Sequence, residues 1–364
     1  MVDMEAPSWQ DVYGLLRLLE WAATRVGFVV REAGLVRGVP SLLVEPPKDQ
    51  KKAFEELIAL LKPHNVLPVL RRGPSGLVLR AVSFRPGKER TPLVPLILFV
   101  ATFGSIFAAG WFLSLRWPEG PFLGALMFTG AMMAVLATHE MGHWIAARLH
   151  GVSVTPPYFI PAPPPISFLG TFGAFIQQKT PAPNKDALFD IGVAGPLAGF
   201  VAAIAITLVG LPYSRVVVGP VEGIPLPYIL AYAIMIRLVL SPLPEGAVVL
   251  LHPVAFAGWV GMLVTMLNLI PAGSLDGGHI ARCVLKAREH MFLGLLGALL
   301  VMAVGFLYGG WYLPMAILAL LMAFFYRHPG PLDDESSLSP VRKAALVLPA
   351  AIFLLCIAPI PLPR

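Results

Sequence analysis

Charge is scarce in this chain, and cysteine is scarcer. Asp, Glu, Lys and Arg make up 13% of the 364 residues, while 57% are hydrophobic and the mean hydropathy is +0.75. A typical soluble domain is about one quarter charged, so a deficit this large, with long apolar runs, excludes an ordinary water-soluble domain. The two cysteines, Cys283 and Cys356, form no CxxC pair and no disulfide framework. Any metal site must therefore be built from His and carboxylates. The chain also lacks a Lys/Arg stripe with interleaved aromatics. A net charge of +6 and a pI near 9.4 are thus read as basic residues flanking apolar segments, and nucleic-acid binding is excluded. The start, Met1-Val2-Asp3, shows no basic region followed by a short apolar core. No cleavable signal peptide is expected, and the first apolar span is expected to perform the targeting.

Residues 1–88 hold many of the charges and no run long enough to span a bilayer. Ser8 to Thr24 predicts a helix with Leu15, Leu16, Leu18, Leu19 and Trp21 in its apolar pattern. Phe28 to Arg31 and Ser41 to Val44 read as strands. Lys51 to Leu61 reads as an amphipathic helix with Phe54, Leu57, Ile58 and Leu61 on one face. Val66 to Arg71 and Gly76 to Val82 predict a hairpin around Gly73-Pro74-Ser75-Gly76. Together these make a small cytosolic α+β accessory domain, with no catalytic cluster.

Residues 89–364 read as a polytopic α-helical membrane domain. Apolar spans fall at about 93–115, 121–149, 187–211, 253–272, 290–308, 311–326 and 344–361. Segment 226–240 is bounded by Pro225, Pro227 and Pro242 and contains Arg237. Arg80, Arg85, Lys88 and Arg90 precede the first span; Arg148 and His150 end the second; Lys179 and Lys185 precede the third. Arg282, Lys286 and Arg288 follow the fourth, Arg327 and His328 end the sixth, and Arg342 and Lys343 precede the seventh. All fall on one side only if 226–240 does not cross, which gives seven spans with the basic side in the cytosol. Val152 to Lys179 is too proline-rich for a helix and too apolar for water. Irregular backbone at membrane depth survives where protein or a water cavity satisfies it, so this stretch is expected to be a re-entrant hairpin.

The second span contains HExxH at 139–143. Residues four apart share a helical face, so neutral imidazoles of His139 and His143 can grip one zinc ion. Glu140 can reach its water as general base. Ionisable groups inside an apolar span are costly and mark function more often than structure; the bland alternative is a buried polar network between helices. A catalytic zinc takes three protein ligands and keeps one open position. Asp276, in NLIPAGSLDGGHI at 268–280, is the best third candidate. Pro271 and Gly273 break the preceding helix there, and Gly277-Gly278 permit a sharp turn. The alternative for Asp276 is an exposed loop carboxylate. Asn268 either donates to a scissile carbonyl or links two helices. His150, His252 and His279 are possible extra ligands, for which a boundary or supporting role is the better reading. Gly192, Gly195 and Gly199 are read as helix-packing residues.

HExxH in an early span, followed by N-x-x-P-x-x-x-LDG at the end of a later one, resembles the site-2 protease family of intramembrane zinc metalloproteases. GTFGAFI at 170–176 and AGPLAG at 194–199 resemble segments of the same family. The resemblance covers roughly 121–290. It implies one zinc ion per chain on His139, His143 and Asp276, Glu140 as catalytic glutamate and Asn268 as substrate-positioning residue. It implies a multi-pass protein, expected in the cell membrane, that cleaves a single-span membrane-protein substrate within the lipid bilayer in regulated intramembrane proteolysis. No PDZ domain is recognisable between the two motifs, where residues 212–252 stand instead. The competing reading is a membrane metal transporter that uses the same His and Asp residues for transit.

Overall fold

The computed structural model describes residues 9–84, 93–221, 225–227, 229–307, 312–326 and 328–357. Arg85, Lys88, Arg90 and Arg327 lie outside the described residues, as do the N-terminal residues and the last part of the seventh expected span. The N-terminal unit comprises α1 (Trp9–Arg25), β1 (Val29–Val36), β2 (Val39–Glu45), α2 (Gln50–Leu61), β3 (Val66–Gly73) and β4 (Gly76–Ser83). Its sheet runs β1-β2-β4-β3, antiparallel throughout. Leu19, Ala22 and Ala23 of α1 and Phe54, Leu57 and Leu61 of α2 cover one face, giving this unit an apolar core of its own.

Two local readings are corrected here. Trp21 is half exposed and lies under the Arg25 guanidinium instead of in the core. The buried stripe is Leu15, Leu19 and Ala22, and Trp21, two positions past Leu19, points about 200° away. The first strand extends beyond Arg31 to Val36, because Arg37 and Gly38 both adopt positive φ and form the two-residue turn that suits a hairpin.

The helical part begins with α3 (Leu93–Leu113) and α4 (Gly120–Leu149). The hairpin β5 (Tyr158–Ala162) and β6 (Gly170–Phe175) leads into α5 (Lys185–Gly210). Then follow β7 (Arg215–Val218), α6 (Leu230–Leu240), β8 (Ala247–Leu250) and α7 (Pro253–Asn268). The last elements are α8 (Asp276–Arg282), α9 (Ala287–Leu307), α10 (Leu313–Phe325), α11 (Pro340–Ala345) and α12 (Val347–Cys356). Among the described residues, four helices are long and apolar enough to cross a membrane: those starting at Leu93, Gly120, Lys185 and Ala287. The chain is thus a helical membrane protein. α7, α10 and α12 are apolar but shorter, so the expected spans 253–272 and 344–361 are helical only over Pro253–Asn268 and, among the described residues, Pro340–Ala345 and Val347–Cys356. Pro271 cannot extend α7, since its ring replaces the N–H that a helix requires.

α5 packs between α4 and α7, and the β5-β6 hairpin lies against α3 and α4. Between lipid-facing helices, close packing of small residues replaces the hydrophobic drive. The glycine row of α5 supplies it: a side chain at Gly195 would overlap the His143 ring, and one at Gly199 would sit 2.9 Å from His139 Nδ1.

A strap after α10 ties the two parts together. Asp333, fully buried, accepts from Gln50 Nε2 (3.1 Å to each oxygen) and from the Glu335 and Ser336 amides. The Leu332 amide donates to the Ala182 carbonyl and the Leu70 amide to the Leu332 carbonyl. Asn184 caps α5 through the Ala187 amide and also donates to Glu55. At the opposite end of the bundle His252 Nε2 meets Glu119 at 2.8 Å, with Trp117 edge-on to its ring.

Candidate metal centre

The C-terminal half of α4 carries His139 and His143 on one face, and both point at the start of α8. Their Nε2 atoms are 3.1 Å apart. Asp276 Oδ2 lies 3.3 Å from His139 Nε2, and Oδ1 lies 3.2 Å from His143 Nε2. Three ligand atoms, one from each residue, lie within 4.8 Å of one another. His139, Glu140 and His143 are each 7% exposed or less. The break between α7 and α8 makes this meeting possible. Gly273 adopts φ +52°, and a Cβ there would press on the Met322 backbone, so the turn requires glycine.

The donor set fits a divalent cation. The His143 Nδ1–H donates to the Ile191 carbonyl at 2.7 Å, which fixes the tautomer and leaves Nε2 a bare lone pair facing the centre. Asp276 Oδ2 is buried without a hydrogen-bond donor among the described residues. A buried carboxylate oxygen aimed between two imidazole nitrogens is costly unless a cation or proton joins them.

A cavity of about 190 Å³ opens onto the centre. Its walls include Glu140, Asn268, Asp276, His279, Gln178 and β6 residues Ala174 and Phe175. Glu140 accepts from the Ile176 amide just past β6. Asn268 Nδ2 stands 3.3 Å from His139 Nε2. A second, adjoining cavity is lined by Phe172, Gly173 and Asn268, so β6 borders both.

The structure thus brings together His139, Glu140, His143, Asn268 and Asp276. Of the other histidines considered, it separates His150 and His252 from this centre, while His279 lines the cavity. His150 pairs with Asp190 at 2.8 Å, His252 with Glu119, and His279 Nδ1 lies 2.6 Å from His328 Nε2. The grouping around His139, His143 and Asp276 is the one cluster of metal-ligand type among the described residues. His328 is a contact that the sequence reading missed. Burial, then the neighbouring His279 and His290, hold it far below the ordinary imidazole range. Forty-nine residues separate it from His279, and no spacing rule links them.

A buried His/His/Asp cluster on broken, apolar helices defines a helical membrane protein with a centre suited to metal-assisted hydrolysis. The family model for peptidase family M50 matches residues 127–309. The chain belongs to this family, the site-2 protease family. It is 33% identical over 250 residues to the probable zinc metalloprotease EGY1, chloroplastic, of Oryza sativa subsp. japonica, covering 66% of this chain and 42% of that protein. The EGY1 protein of Arabidopsis thaliana is 29% identical over 247 residues, covering 66% and 44%. The probable zinc metallopeptidase EGY3 of Arabidopsis thaliana is 27% identical over 295 residues, covering 72% and 47%. The chain therefore spans less than half the length of these relatives. No solved structure matches it.

Proposed function

We propose that the chain is an intramembrane zinc metalloendopeptidase that hydrolyses a peptide bond within or near a membrane span of a single-span protein. The observation that carries this reading is the convergence of His139, His143 and Asp276 beside Glu140 in one buried cavity. His139, His143 and Asp276 would hold one zinc ion. When bound, zinc supplies a Lewis acid and lowers the pKa of a coordinated water to near 7. Glu140, held by the Ile176 amide, takes the proton from the attacking water and passes it to the leaving amine. Asn268, at the last turn of α7, donates to the scissile carbonyl oxygen as negative charge develops there.

A substrate helix hides its carbonyls in its own hydrogen bonds, so it must unwind before attack. The β6 edge, which borders both cavities, offers backbone groups to the extended segment. Residues 152–179 are accordingly proposed as a re-entrant hairpin.

The seven-span reading takes α3, α4, α5, α7, α9, α10 and α12 as crossings, with α6 not crossing. Its support is the basic residues: Arg148, Lys185, Arg282 and Arg342 then share the end that also carries residues 9–84, the described part of 1–88, which is proposed as an accessory domain on the cytosolic side of an integral membrane protein. Regulated intramembrane proteolysis is the proposed setting. The family membership favours hydrolysis over metal transport.

The test incubates purified protein with a single-span substrate in bilayers, comparing wild type, Glu140→Gln and a chelator with zinc add-back. Cleavage is expected in wild type, lost in the variant and the chelated sample, and regained with zinc. Normal cleavage by Glu140→Gln would overturn the mechanism; zinc flux across the bilayer without cleavage would favour transport.

A further inference from the structure

We propose that His279 presents a fixed, neutral N–H donor to the substrate backbone inside the metal cavity, set by a hydrogen-bond relay that runs from Gly330 through His328. This rests on the peptidase reading above and adds a substrate-positioning residue to it.

The tautomers follow from the bonds. The Gly330 amide donates to His328 Nδ1 at 2.9 Å. A neutral imidazole carries one N–H, so the proton of His328 sits on Nε2. That nitrogen lies 2.6 Å from His279 Nδ1 and donates to it. His279 Nδ1 is therefore an acceptor, and its own proton sits on Nε2. His290 does not compete, because its Nε2 donates to the Gly278 carbonyl at 3.1 Å while its ring packs edge-on against His328. His279 lines the cavity beside Asp276, and Nε2 is the polar ring atom left to face it.

The contrast with His143 gives the relay its meaning. There the outer nitrogen donates to Ile191, and a bare Nε2 faces the centre, as a metal ligand requires. At His279 the outer nitrogen accepts, and the inward nitrogen is protonated. Such a nitrogen cannot coordinate a cation but can donate to a carbonyl. An unwound peptide has exposed carbonyls that need donors once its own helical hydrogen bonds are broken. Gly192 leaves the room for this ring: a Cβ there would lie 3.1 Å from His279 Cβ.

Two measurements test the relay. In histidine-selective nitrogen-15 spectra of Glu140→Gln protein, with and without zinc, His279 and His328 are both expected as Nε2–H tautomers. A protonated Nδ1 on either ring overturns the relay. In the cleavage assay, His279→Leu is expected to lower kcat/KM about 30-fold, as loss of one hydrogen bond made in ground and transition states alike. The loss should fall on KM, with zinc still bound at one per chain. His328→Phe should raise KM in the same direction, and His328→Gln, which keeps an N–H at the ε position, should recover most of it. A fall in kcat alone, loss of zinc, or no rescue by glutamine would overturn the proposal. If wild type cleaves nothing, the peptidase reading fails by itself and the substrate role falls with it, whereas the spectra still decide the tautomers.

Discussion

At the scale of single residues, two atoms of Glu140 separate chemistry from packing. Glu140→Gln keeps the shape and the contact with the Ile176 amide but removes the proposed base. Turnover should fall about 10²–10⁴-fold, the usual contribution of a positioned acid-base group, with zinc content unchanged by elemental analysis. Asn268→Ala should cost about 10²–10³ in kcat, as for a lost oxyanion donor, in a single-turnover assay. Gly195→Ala works differently. Its Cβ would overlap the His143 ring, so the ring must move off Ile191 and zinc stoichiometry should drop below one per chain. Overpacking of this kind costs about 1–3 kcal/mol. The sequence reading took Gly195 as a packing residue, and the structure shows what it packs against: the candidate ligand itself.

At the scale of elements, legibility followed distance along the chain. HExxH was readable because one helix turn sets both histidines on one face. The hairpin 158–175 was readable as irregular because prolines exclude helix, and the end of α7 was readable because Pro271 stops it. The partners of His279 and His252 were not. They sit 49 and 133 residues away at His328 and Glu119, and tertiary packing alone brings them together. The α5 N-cap at Asn184 is an intermediate case, since its capping role is local while its bond to Glu55 is not. For the proposed substrate edge, Ala174→Pro removes a backbone N–H from β6 and blocks strand addition. Cleavage should fall at least about tenfold, while zinc binding, proposed on α4 and α8, should persist. Undiminished cleavage would end the strand-edge account.

At the scale of the whole molecule, the strap joins two apolar cores that also meet directly through Lys51–Asp186 and Asn184–Glu55. Asp333→Ala would leave the Glu335 and Ser336 amides without their acceptor and Gln50 Nε2 with only Ser336 Oγ. A loss of about 3 kcal/mol is expected, since each buried unsatisfied donor costs about 1–3 kcal/mol. Thermal unfolding should then separate into two transitions, the first belonging to residues 9–84.

That strap is also short. His328, which holds His279, and Asp333, which holds the N-terminal unit, are five residues apart, a span of at most about 17 Å when fully stretched. The anchor of the N-terminal unit and the support of the histidine at the cavity wall are therefore five residues apart on one continuous stretch of chain. Lengthening this tether by two or three glycines would leave both anchor points chemically intact while uncoupling them, as cutting a drawbar leaves two sound wagons.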